Sequence, residues 1–555
     1  MAAWSWMVLT AALAAGPAAV PTPAETSHRL DGVIAEAFAP LGIAPAAAAD
    51  EATFHRRVWL DLAGRIPPVA ETRKFLDDPS PTRRTQLVDR LLQSQDFGNH
   101  WGRVWAEYFT DQRPFDQENF SGRVLQNYLR DSLVAGKSYR QIVTELLRGE
   151  GSSDDSGPAN FLLRYDAQPE QLAGVVSKKF LGVTIQCAQC HDHPHVHWKQ
   201  DDFWGLAAYF ARLRKMEPVE EPSGDNFSII LERTRGELTV PDPKGTPDKE
   251  GNIPRKTIYP RLPGVGAMDT SDARRGTLIA WLTEPGNPYF ARHGVSRVWK
   301  QLFGAELVAS LDSLQPTSKS AASESPILEL LAEDFAASDY DLKRLIRVIV
   351  LSDTYQRGAG PARPLGTALA KADGKREGTK TTAKDSPAKT PTSDKPAQST
   401  SAGDPEFVQT AVYARFPIRP LTADQLYLSL AQATGFRGDE AEAKLAAMTS
   451  EDFVTDVSQD NLSGEALAVR RSLALLNGDH LRNAADMAVT AAQRVHGDIV
   501  GKKHVEWLVL STLCRPPTSA EMDAFLKLAG DEEGSEGLKD VAWVLLNSAE
   551  FVTNH

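Results

Sequence analysis

The sequence predicts a mainly α-helical protein: two helical domains joined by a small β-hairpin or irregular segment, with a disordered insertion in the second domain. Three observations lead there. Apolar residues recur at helical spacing through most of the 555 residues. Between Pro218 and Pro263 that rhythm gives way to dense Pro and Gly around "FSIILERTRGELTV". From Ala370 to Glu406 there is no Ile, Leu, Val, Met or aromatic residue, so nothing in that stretch can bury apolar surface.

Residues 1–24 read as a secretory signal. The apolar run from Trp6 to Ala15 is broken by Gly16 and Pro17 and followed by small residues before Ala19 or Ala24. It is too short for a membrane span, although no Lys or Arg precedes it. Residues 27–215 form the first helical domain. Ser80-Pro81 opens a helix with proline at its first position and Leu87, Leu91 and Leu92 on one face. Amphipathic helices are expected over residues 97–109, 123–134, 138–147 and 169–181. "DDFWGLAAYFARLR" begins with an acidic cap pair and spaces Phe203, Leu206, Phe210 and Leu213 as a helix does. The linker segment, residues 216–265, is expected to hold two strands around a turn at Thr234-Arg235-Gly236. Residues 266–555 form the second helical domain. It opens with a Thr/Ser/Asp cap ahead of Leu278, Trp281 and Leu282 and continues in helices over 288–303, 326–337 and 341–352. Its insertion at 370–406 is disordered. Beyond it, Thr422 and Gln425 form a capping box and helical order runs to the C-terminus.

A formal charge of −12 argues against a nucleic-acid partner, since phosphate binding needs concentrated Lys and Arg. No segment after the signal has the 18 uncharged apolar residues of a membrane helix. Three cysteines are too few for a disulfide-built scaffold. Cys514 ends an apolar helical stretch and reads as a small buried hydrophobe.

The other two cysteines stand in "IQCAQCHDHPHVHW". Cys187, Cys190 and His191 match C-x-x-C-H, the attachment pattern of c-type haem. Two thiols three positions apart reach the two vinyl groups, and the next imidazole coordinates the iron. Such attachment takes place outside the cytoplasm, which agrees with the signal. A sixth ligand would come from elsewhere, with Met216 and His100 as the candidates. The same stretch admits a zinc set of Cys187, Cys190, His193 and His197, cramped for a zinc module. It also admits a Cys187–Cys190 disulfide. His191, His193, His195 and His197 share one side only if the segment is extended, and His195 and His197 read more simply as exposed loop histidines.

Two further clusters carry weaker signals. "HRRVWLDLAGRIPP" concentrates His55, Arg56, Arg57, Asp61 and Arg65, read here as an ion-paired helix face. "GNPYFARHGVSRVWKQLFG" carries Arg292, His293, Arg297 and Trp299, a helix with an aromatic core face and a basic outer face. No G-x-S-x-G, H-E-x-x-H or phosphate loop is present, and nothing identifies a hydrolase.

Taken together, "RRVWLDLAGRIPP", "LVDRLLQSQDFGNHWGRVWAEYF", "KKFLGVTIQCAQCHDHPHVHWKQDDFWGLAAYFARL", "YDLKRLIRVIVLSDTYQR" and "ARFPIRPLTADQLYLSLAQATG" resemble the large exported proteins typical of planctomycetes. These join a cytochrome-c-like domain of unknown function, the PSCyt type, to a planctomycete-specific domain, the PSD type. The resemblance implies an exported, mostly helical protein, periplasmic or at the cell surface. It carries over to Cys187, Cys190, His191, Asp192, His193 and Pro194. Where relatives commonly continue Phe-Asp, this chain has His195-Val196, which places any site built on His195 or His197 in doubt. The expected function is therefore electron transfer or oxidoreduction by a c-type-haem-like protein with a redox partner. His193 would tune the site. The alternative is a zinc-stabilised helical scaffold without haem. Substrate and oligomeric state are not legible.

Overall fold

The computed structural model describes residues 20–111, 122–216, 227–242, 245–267, 274–308, 311–312, 325–360, 363–364, 410–435, 479–530 and 535–555. The disordered insertion expected at 370–406 and the apolar run of the expected signal lie outside these residues.

The first half is helical as its periodicity predicts. Ten helices run in order: α1 (Pro23–Phe38), α2 (Glu51–Ala63), α3 (Val69–Leu76), α4 (Arg83–Leu92), α5 (Gln95–Thr110), α6 (Gly122–Val134), α7 (Tyr139–Arg148), α8 (Gly157–Leu163), α9 (Pro169–Val176) and α10 (Gln200–Ala207). Then come α11 (Arg274–Leu282), α12 (Phe290–Phe303), α13 (Pro326–Ala337), α14 (Leu342–Val350) and α15 (Asp353–Gln356). The last part holds α16 (Ala423–Ala433), α17 (Asp479–His496), α18 (Lys502–Leu513), α19 (Ser519–Ala529), α20 (Glu536–Leu546) and α21 (Ala549–Val552). The Thr422–Gln425 capping box forms as expected. Ser80-Pro81 does not start its helix. Arg83 N–H donates to the Ser80 carbonyl at 3.2 Å, so these residues make a turn and α4 begins after Thr82. Likewise α10 starts at Gln200, and Asp202 reaches back to accept from Lys199 N–H at 3.0 Å.

The strands are short and antiparallel, beginning with β1 (Ile43–Ala44), which pairs with Arg363 and Pro364. The two strands expected to form one hairpin, β4 (Ile229–Glu232) and β5 (Leu238–Pro241), do not pair with each other. β4 lies between β2 (Gly151–Ser152) and β3 (Leu213–Met216), while β5 pairs with β6 (Arg255–Ile258). The reason is tertiary. Ile230 is buried in the core, and the buried Arg274 grips the intervening loop through the Glu237 carboxylate and, at 3.1 Å, the Gly236 carbonyl. These contacts hold the loop between the two strands against the start of α11.

The stretches expected as separate helical domains share one hydrophobic core, which runs from Leu30 to Phe416. Tyr139 of α7 stacks on Phe290 of α12 with ring centroids 4.9 Å apart, and α1 packs against α13 and α14. A second core gathers apolar residues of α16 to α21 around Leu60 and Ile66 of the first half.

The α2 stretch read as an ion-paired helix face is ion-paired, Asp61 with Arg419 and Arg65 with Asp96, but most of it lies buried in the seam between these cores. Asp61 accepts from Arg419 Nη2 at 2.9 Å, the Tyr355 hydroxyl at 2.6 Å and Asn554 Nδ2 at 2.9 Å. The Arg57 guanidinium lies 3.6 Å from the Phe416 ring centroid and donates to the Arg357 carbonyl at 2.9 Å. Arg56 donates to the Phe551 and Thr553 carbonyls at 2.7 and 2.9 Å. Helical spacing alone cannot tell such a seam from a solvated face, because both put charges on one side.

On α12, Arg292 pairs with Glu329 at 2.5 Å, whereas His293 and Arg297 turn inward to Tyr108. His293 Nε2 is 2.6 Å from the Tyr108 hydroxyl, and Arg297 lies 4.4 Å from that ring's centroid. The basic face of this helix is therefore only partly an outer one.

Candidate functional site

The Cys/His stretch starts where α9, continued by a π-helical turn over Ser177–Leu181, stops at Gly182. Gly182 takes φ 68°, and a Cβ there would lie 2.4 Å from His293 Nδ1, so both the turn and the close approach demand glycine.

Ile185–Gln189 then winds into a 3₁₀ turn. In such a turn residues three apart eclipse each other. Ile185 and Ala188 accordingly point into the core, while Cys187 and Cys190 share the outer side as exposed free thiols. Sequence spacing had placed two thiols within a haem's reach; the structure adds which way they face.

His191 is exposed, with Nδ1 2.8 Å from the Asp192 carbonyl oxygen. A carbonyl only accepts, so Nδ1 carries the proton and the neutral ring's Nε2 lone pair is unengaged. The Asp192 carboxylate accepts from Gln200 N–H, the first of α10, at 2.8 Å. Gln200 Nε2 returns to the Gln189 and Cys190 carbonyls at 3.1 and 2.9 Å, and Trp204 Nε1 donates to Gln189 O at 3.0 Å. The start of α10 thus clasps the motif.

Beyond Pro194 the chain is an irregular loop, as the proline predicts. His193 Nδ1 accepts from His195 and Val196 N–H, both at 3.2 Å, so its proton sits on Nε2. His195 is exposed. His197 stacks on Trp198 with centroids 4.0 Å apart; its Nε2 is buried without a partner, and burial pushes its pKa down.

Trp198 is buried and its indole N–H donates to Asp312 Oδ1 at 3.1 Å. The same oxygen accepts from Thr184 N–H at 2.8 Å. One carboxylate therefore ties both ends of the stretch together. Sequence reasoning missed Asp312, and no local pattern marks it, because it lies 114 residues beyond Trp198.

The residues suit a haem attached through two thioethers. Two free thiols share one side, beside an imidazole whose Nδ1 is already hydrogen-bonded, the arrangement that leaves Nε2 for iron and raises its basicity. The zinc set of Cys187, Cys190, His193 and His197 is not gathered. His193 has given Nδ1 to the backbone and keeps a proton on Nε2. Among the described residues no three His, Cys, Asp or Glu side chains are grouped to share a metal ion.

The 3₁₀ turn of the motif packs on α9 and α10. His100 is buried in α5 against Gly64, and burial lowers its pKa to about 3. Met216 ends β3 and is half exposed. Cys514 is buried, its thiol pushed up to about 12 by burial, and takes the structural part expected of it.

Residues 29–215, which include the whole motif, match the PSCyt2 family, described as a protein of unknown function (DUF1549). Residues 274–375 match PSD1, also described as a protein of unknown function (DUF1553). The chain joins a PSCyt2 domain to a PSD1 domain. No curated protein and no solved structure matches it. The PSCyt2 domain supplies the thiols and histidines of the motif. Asp312, which latches that motif shut, belongs to the PSD1 domain. Among the described residues no helix is long and apolar enough to cross a membrane.

Proposed function

We propose that this chain is an exported c-type-haem protein that exchanges electrons with a partner protein. The observation that carries the reading is the pairing of two outward, unbridged thiols with a His191 ring whose Nδ1 proton is spent on the Asp192 carbonyl. Cys187 and Cys190 would anchor the ring, and His191 would ligate through Nε2. His193, protonated on Nε2, would donate to a propionate. The haem, when bound, supplies one-electron chemistry. Asp312, Gln200 and Trp204 hold the anchor in place, and the exposure of the motif leaves it open to a partner.

Export rests on the apolar run Trp6–Ala15 read as a leader, and the start of α1 bears on where it would be cleaved. Thr22 and Glu25 form a capping box at the start of α1, and Arg344 Nη2 donates to the Pro21 carbonyl. Cleavage after Ala19 spares both contacts, whereas cleavage after Ala24 removes them.

The test is expression with the leader in a host that has the cytochrome c maturation machinery. A reduced-minus-oxidised haem spectrum and haem retained on a denaturing gel are expected. Both should be lost in Cys187→Ala/Cys190→Ala. His193→Gln should keep the haem and shift its potential. Absence of a haem band, with near-stoichiometric zinc, overturns the reading in favour of the zinc-fastened scaffold.

A further inference from the structure

The corner where α17 turns into α18 lies in the second core, far along the sequence from the motif. α17 ends on Arg494, Val495 and His496, residues 497–501 make the turn, and α18 opens on Lys502 and Lys503. The corner is tied together from within. His504 Nε2 donates to the Gly497 carbonyl at 2.7 Å, and Val500 and His504 are buried. What the corner holds outward is therefore set by its fold. Ile499 is 73 % exposed, more than any other large apolar side chain among the described residues, and Val495 is 60 % exposed.

Cations surround these two aliphatics. Arg494, Lys502 and Lys503 are exposed, and α3, which packs against α18, adds the exposed Arg73. Burial, His504, Arg73 and Lys503 together push the His496 pKa down, which places Arg73 and Lys503 beside that ring. Asp498 and Glu506 are the carboxylates of the stretch, and Arg73 already engages Glu506 at 3.3 Å. In a chain of formal charge −12 this corner is locally basic. The two lysines also work against their own helix. The first turn of α18 has no acidic residue, and Gly501 at its N-cap offers no side chain to the first amides. A helix N-terminus favours anions, so lysines there weaken the helix unless an outside anion meets them.

The make-up of the patch decides what bears that anion. Protein interfaces are rich in Tyr, Trp, Phe, Met and Arg and poor in Lys. Residues 494–506 hold lysines and branched aliphatics on a projecting turn, with no Tyr, Trp, Phe or Met. A bilayer offers the complementary layers, with acidic headgroups for the cations and the acyl boundary for the aliphatics.

We propose that the α17–α18 corner docks this protein on an anionic lipid surface. Ile499 and Val495 enter the interface, and Arg73, Arg494, Lys502 and Lys503 meet the headgroups. The docking is independent of the haem reading.

The experiment sediments the full chain at low salt with vesicles of phosphatidylglycerol or of phosphatidylcholine. The apolar residues 6–15 are common to every variant, so the readout is the excess of binding to the anionic lipid. Each basic side chain near such a surface is worth about fivefold in partitioning, so Lys502→Gln/Lys503→Gln should weaken that binding roughly 25-fold. Ile499→Ser should weaken it about tenfold. The substituted side chains are exposed, and melting temperatures should stay at the wild-type value. Hydrogen exchange at residues 495–503 should slow on phosphatidylglycerol and not on phosphatidylcholine. Equal binding to the two lipids, or an excess that survives Lys502→Gln/Lys503→Gln, overturns the proposal. Polyglutamate bound as tightly as phosphatidylglycerol, with Ile499→Ser without effect, overturns the lipid in favour of an acidic protein partner.

Discussion

Removing the Asp312 carboxylate should loosen the Cys/His stretch without unfolding the protein. Asp312 Oδ1 accepts from Thr184 N–H at 2.8 Å and from Trp198 Nε1 at 3.1 Å. A hydrogen bond to a charged acceptor contributes about 1.5–3 kcal/mol. Asp312 is only part-buried, which puts the two bonds at the low end, about 3 kcal/mol together. Because about 1.4 kcal/mol is a factor of ten, local opening should become about a hundredfold more frequent in Asp312→Ala. Asp312→Asn keeps a neutral acceptor and should fall between that variant and the wild type. Hydrogen–deuterium exchange reads this at Thr184, whose amide loses its acceptor. It also reads it at His193, whose N–H donates to the Trp198 carbonyl at 2.9 Å. Amides inside α18, in the other core, serve as the internal reference and should not change. Exchange at Thr184 and His193 as slow in Asp312→Ala as in the wild type would refute the latch.

Two other outcomes follow from the buried polar groups. Asp61→Ala leaves the Arg419 guanidinium without its carboxylate at the seam between the cores, at a cost of about 3–5 kcal/mol. Limited proteolysis should then release residues 421–555 early, and an unaltered digestion pattern counts against the seam. Burial lowers the pKa of both His55 and His100 from 6.5 to about 3. With His293, which burial lowers to about 3 as well, the unfolded chain binds up to three more protons than the folded one between those limits. Stability is full above about pH 6.5 and is lost as the pH falls toward 3. Melting temperatures at pH 7 and pH 5 should show this, with a shallower dependence in His55→Phe; equal slopes would remove His55 from the account.

What was legible in the sequence is what is written locally. The C-A-Q-C-H spacing and the Thr422–Gln425 cap each depend on residues a few positions apart, so one stretch of chain carries the whole signal. Pairing across the chain was not legible. "FSIILERTRGELTV" contains both strands, yet their partners are chosen by Ile230 and by Arg274, which lies well outside that stretch. His55, Arg56, Arg57 and Asp61 are spaced as a surface face would be; that they form a seam depends on Tyr355, Phe416, Arg419 and Asn554 arriving from the other end of the chain.

By itself, then, the sequence determined a helical chain with one dense stretch of ligand chemistry, because helix periodicity and the spacing of two thiols and an imidazole are short-range properties of the backbone. Tertiary structure alone decided what each histidine there is free to do. His191 keeps Nε2 unengaged, His193 spends Nδ1 on the loop, and His197 lies against Trp198. The conformation of the loop, which α10 and Asp312 hold at its ends, sets which nitrogen of His191 and His193 is left over, since a hydrogen bond to one ring nitrogen dictates the role of the other.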